Sequence, residues 1–145
     1  MTAWLYAALM PVHGLLSALA LAALAHPVVL LRRAEAAGRA RTVALYATML
    51  LAALNGIGWG LYPSYRQAVK PRLRLDVPTA AVVFETKEHL AWFALVLAVA
   101  GTVTLYARQD PRAARVSLGL ALGCGLVAAG IGVYVAAADW VSATG

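Results

Sequence analysis

The chain is short of nearly everything that marks a soluble catalyst or a cross-linked secreted domain. Its one cysteine, Cys124, lies inside an apolar run, so no internal disulfide can form. Charged residues make up only 12% of the 145 positions, about half the share of an ordinary soluble domain. Only six of them are acidic, against twelve Lys and Arg. There is no Gly-rich phosphate loop, no CxxC or HExxH spacing, and no Ser or Cys set beside a general base. These absences exclude the familiar hydrolase and transferase chemistries, and Cys124 reads as a small packing residue.

What the chain has instead is apolar length. Four apolar stretches, separated by segments that hold most of the charge, match the ~20 residues needed to cross a bilayer core. The pattern predicts helices at about 3–31, 42–62, 80–107 and 114–138. The expected fold class is therefore all-α, an integral membrane four-helix up-down bundle forming a single transmembrane domain over 1–145. Ala23-Leu24-Ala25 resembles a signal-peptidase site, yet no Lys or Arg precedes the first run and the run is long enough to span, so it is read as a retained helix.

The net charge of +6 would suggest nucleic acid in a soluble protein. Here the basic residues flank the apolar runs, so they meet lipid headgroups and set orientation, and no nucleic-acid partner is expected. Arg32, Arg33, Arg39 and Arg41 fill the first connection, and Arg108, Arg112 and Arg115 the third. They outnumber Arg66, Lys70, Arg72 and Arg74 in the second. The first and third connections should then be cytoplasmic and both termini outside, as in a multi-pass protein of a bacterial-type inner membrane. Trp4, Trp59, Trp92 and Trp140 fall toward the same outer side, where indole rings prefer to sit. The segment from Pro63 to Pro78, with three prolines and an alternating Arg72-Leu73-Arg74-Leu75, reads as irregular or interfacial.

Gly56 and Gly60 on the second helix, and Gly119 and Gly123 on the fourth, have the small-xxx-small spacing that lets helices approach closely in lipid. Close packing within the bundle is expected from them, with an oligomer as the other use of such a face. Gly125, Gly130 and Gly132 extend the small surface of the fourth helix.

Histidine supplies the candidate site. Counting outward from the inner charged boundary, His13 lies 18 residues from Leu31 and His89 lies 17 from Tyr106, which places both ~26 Å up at ~1.5 Å per residue. The same count on the other helices reaches Trp59 and Tyr134, with Asn55 one to two turns deeper. On the third helix Glu85, Glu88, His89, Trp92 and Val96 share a face, while Lys87 points away and can snorkel. Ionisable groups at membrane depth cost several kcal/mol unless they face the bundle interior, pair, or touch water, so this face should point inward. On the first helix Tyr6, His13, Ser17 and Ala20 form the matching stripe, with Met10 at its edge.

Several chemistries suit these groups. Two imidazoles facing one another across a bundle can be axial ligands to haem b, which would make the protein an electron-transfer component working with a quinone or a redox partner protein. Copper or zinc held by His13, His89 and Glu85, with Glu88 orienting an imidazole, would make it a metal-binding or transport component. In a third reading the polar residues only mark a helix entrance, and the chain is a structural subunit of a larger membrane complex.

His26 follows His13 by thirteen residues. Paired histidines on one helix resemble those of the dihaem membrane cytochromes b, in which such a helix gives one ligand to an outer and one to an inner haem. The resemblance covers the first helix alone, and it implies a haem-binding role for His13. The interval here is one residue short of that family's, so the two rings diverge by ~140° on a regular helix. His89 has no inner counterpart on its own helix, and Met49 is the residue near the depth of His26 that can complete a His/Met pair.

Overall fold

A computed structural model describes the backbone of residues 3–144 and the side chains of residues 8–33 and 35–142. Trp4 and Tyr6 therefore lie outside the described side chains. Among the described residues there is no strand. The helices are α1 (Ala3–Leu30), α2 (Ala37–Ser64), α3 (Lys70–Asp76), α4 (Pro78–Val103) and α5 (Pro111–Thr144). Four helical stretches, 8–30, 37–76, 78–108 and 111–142, are long and apolar enough to cross a membrane.

The short connections have local causes. Gln109 adopts a left-handed φ of 53° and stops the turn that follows α4. Asp110 then caps α5, its Oδ1 accepting from the backbone N–H of Arg112 and Ala113 at 3.0 Å each, with Pro111 preset for the first helical position. Between α1 and α2 a single 3-10 turn, Ala34–Ala36, reverses the chain.

The segment from Pro63 to Pro78 is helical instead of irregular. Pro63 cannot bond the carbonyl one turn back, and the chain absorbs this loss in a π-turn over Tyr65–Val69 before α3 resumes. Pro71 falls in the first turn of α3 and Pro78 in the first turn of α4, where a missing N–H costs nothing. The one break is at Val77, with φ −140° and ψ 73°.

The long helices form a square: α1 packs on α2 and α5, and α4 packs on α2 and α5, leaving α1 and α4 at opposite corners. Small residues make the approaches, with Ala20, Ala44, Ala47, Ala94, Ala98 and Ala121 all buried. The close contacts fall on other glycines than the sequence spacing suggested. A Cβ on Gly56, Gly60, Gly119 or Gly123 would meet nothing within 4 Å, whereas one on Gly101 would stand 2.8 Å from Leu118 Cγ and 3.2 Å from the Ala114 carbonyl oxygen. Gly125 likewise receives Leu21 of α1.

Among the described residues a pair of polar side chains is buried in the half of the bundle nearer the α1–α2 and α4–α5 connections. The hydroxyls of Thr48 on α2 and Thr102 on α4 lie 2.8 Å apart, and each also reaches a carbonyl of the opposite helix at 3.4 Å. Thr48→Val removes the hydroxyl while keeping the shape. It should cost about 0.6–1.7 kcal/mol, the range for hydrogen bonds between membrane helices, and a double-mutant cycle with Thr102→Val in detergent should recover most of that as coupling. Additive losses would mean the pair does not join the helices.

The interior divides into two buried clusters. The larger one includes Leu24, Leu51, Leu54, Leu105 and Leu118, and the smaller gathers Tyr65, Val69, Leu73, Ala80, Ala81 and Val135 at the end where α3 meets α4 and α5.

Candidate functional site

Between those two clusters lies a cleft of about 360 Å³, within the size range of small-molecule and cofactor sites. Its lining takes Leu51, Leu54 and Ala94 from the larger core, and Tyr62, Tyr65 and Phe84 from the residues of the smaller. All four long helices contribute, and the cleft opens to the surface, with Trp59, His89 and Trp92 of its lining exposed.

His13 from α1 and His89 from α4 both line it. Because these helices stand at opposite corners, their axes are separated by more than the 8–10 Å of neighbours, roughly 11–14 Å across the diagonal. The two rings have different local settings. Nδ1 of His89 lies 2.8 Å from the Glu85 carbonyl oxygen. A carbonyl can only accept, so Nδ1 carries the hydrogen and Nε2 is the acceptor nitrogen of the neutral ring. His89 is exposed, whereas His13 is half-buried. The His13 ring is seated on α2 at Gly58, where an added Cβ would come 3.3 Å from its Cε1. Its Nδ1 is buried and has no hydrogen-bond partner among the described residues, a condition that costs about 1–3 kcal/mol until something satisfies it. The Ser17 hydroxyl donates to the His13 backbone carbonyl at 2.8 Å and leaves the ring alone.

The rest of the lining is mainly aromatic and aliphatic. Trp59 and Trp92 meet edge to face, with centroids 5.7 Å apart at 88°, and Tyr65 stacks on Phe84 at 3.8 Å and 17°. Asn55 lines the cleft while its Nδ2 donates to the Leu51 carbonyl at 2.9 Å. Glu88 also faces in.

Some candidates lie elsewhere. Glu85 is exposed, does not line the cleft, and pairs with Lys70 from α3. Tyr134 is exposed too, its hydroxyl 3.1 Å from that of Thr79. His26 and Met49 face outward, so the first helix brings one histidine to the cleft and not two. Among the described residues no three of His, Cys, Asp and Glu converge as a metal-binding group.

Sequence reasoning missed Tyr62, Tyr65 and Phe84, although an aromatic cluster from Trp59 to Tyr65 was visible. It also directed Lys87 outward, whereas Lys87 lines the cleft. Arg72 pairs with Asp139 of α5, so with Lys70 it ties α3 to both neighbouring helices.

No family model matches the chain, and neither a curated protein nor a solved structure is detectably similar to it. The cleft and its side chains carry the functional reading.

Proposed function

We propose that this protein is a small b-type haem protein of electron transfer, in which His13 and His89 are the residues that would hold the haem iron. The observation that carries the reading is the pair itself: two imidazoles from opposite corners of a bundle line one largely apolar cleft, and although Glu88 lines it too, among the described residues no three of His, Cys, Asp and Glu converge as a metal-binding group. A protein cage for zinc or copper needs three or four donors, whereas a haem iron, already held by its macrocycle, needs two.

The residues present fit that group. The Glu85 carbonyl orients the His89 ring, as partners of ligating histidines commonly do. Gly58 leaves the space in which the His13 ring sits. Tyr65 and Phe84 give a packed aromatic wall against which an apolar ring can lie, and the exposed Trp59 and Trp92 add further ring surface to the lining. When bound, the haem supplies one-electron chemistry, and its exchange partner is a quinone or a redox protein in or at the membrane. A visible spectrum of protein purified gently from its native membrane tests this. A sharp low-spin spectrum on reduction is the expected result, and copper or zinc without a Soret band would reject haem in favour of ion binding.

Orientation follows from the arginine balance. The connections around Arg39 and Arg112 lie in the cytoplasm, and Arg72 and the cleft lie toward the outer face of an inner membrane. Reporter fusions after Arg39 and Arg112 should read cytoplasmic, and one after Arg72 periplasmic. The reverse pattern would move the cleft to the inner face.

A further inference from the structure

Lys87 is a cation the haem reading leaves without a role. Its nearest acidic residues in the sequence are Glu85 and Glu88, yet it forms an ion pair with neither, and Glu85 is held by Lys70. Its position in the cleft is built rather than incidental. The aliphatic stem lies along α5 at Gly132, where a Cβ would stand 3.5 Å from Cε and 3.6 Å from Nζ. The ammonium lies 5.1 Å from the centroid of Phe84, whose ring is held by the stack with Tyr65.

A lysine on a membrane helix ordinarily extends its stem toward the headgroups. Lys87 turns into the bundle, where a charge costs several kcal/mol unless it meets an anion or water. An aromatic face returns about 0.5–2 kcal/mol of that, and the Glu88 carboxylate, which also lines the cleft, attracts the ammonium from beyond ion-pair distance, so Lys87 still makes no hydrogen bond or ion pair among the described residues.

We propose that Lys87 is the anchoring cation for a carboxylate of the molecule that occupies the cleft. Resting on the haem reading, that carboxylate is one of the two propionates of the porphyrin. The apolar remainder of the lining, with Leu21, Leu51 and Leu54, suits the rest of the ring. Lys87 then decides which porphyrins bind: those with a free acid edge are preferred over those without one.

The test compares haemin with haemin dimethyl ester, which has the same iron and ring but capped carboxylates, titrated into the apo protein in detergent. The quantity read is the ratio of the two affinities, because detergent partitioning of each porphyrin cancels between variants. A charge-assisted hydrogen bond predicts that Lys87→Gln lowers the wild-type preference for haemin about tenfold. Lys87→Arg should keep it. Lys87→Met serves as a second neutral variant if the Gln form does not fold. A ratio unchanged in the neutral variants would overturn the anchor, while a low-spin spectrum still lost in His13→Ala and His89→Ala would leave the haem reading standing. No band with either porphyrin in the wild type would overturn both.

Discussion

His13→Ala and His89→Ala should each abolish the low-spin haem spectrum, whereas His26→Ala and Glu85→Gln should leave it intact. The first pair removes an imidazole from the cleft, and an iron with one protein ligand turns high-spin or is lost altogether. His26 faces away from the cleft, and Glu85 is engaged by Lys70 outside it. Glu85→Gln is the sharper control, because a three-donor metal site using Glu85 would lose its anionic ligand and most of its occupancy. Absorption and metal content measured on the same four proteins separate the two occupants. A low-spin spectrum surviving in either His→Ala variant would remove that residue from the site.

The largest effect on stability should come from Gly101→Val. The α4–α5 pair is the most extensive in the fold, and Gly101 sits where these helices come closest, over a fully buried Leu118. The first added carbon would stand 2.8 Å from Leu118 Cγ and 3.2 Å from a backbone carbonyl. Leu118 is fully buried, and the carbonyl can move only with α5. Valine there should cost about 3 kcal/mol, at the upper end of overpacking effects, and lower the melting temperature in detergent. Gly123→Ala on the same pair of helices has the opposite expectation. Nothing lies within 4 Å of its added carbon, so the gain in helix propensity, up to about 1 kcal/mol, is unopposed. A Gly101→Val protein as stable as the wild type would mean that α4 and α5 pack in another register.

The contrast between these glycines defines what the sequence could convey. Spacing puts Gly119 and Gly123 on one side of their own helix, but whether that side meets a neighbour depends on the rotation of α5, which local pattern does not encode. The four long helices were legible because run length alone reports them, and Asp110-Pro111 announced the start of α5 in its capping chemistry. Pro63, Pro71 and Pro78 were read as breakers, yet two occupy first-turn positions and the third is accommodated by a π-turn that has no sequence signature. His13 and His89 could be set at one depth by counting, since helical rise is constant. Lys87 could not be directed inward, because its seat is the missing side chain of Gly132 forty-five residues later.

The division of the interior into two cores bears on how the molecule comes apart. Each cluster closes on its own, and the layer that would join them is the cleft. An occupant touching both sides acts as that missing layer, so the filled protein should melt as one cooperative unit. With the cleft empty, the two clusters are joined only through the helices that run through both, and the end bearing α3, fastened by its two ion pairs, should open first.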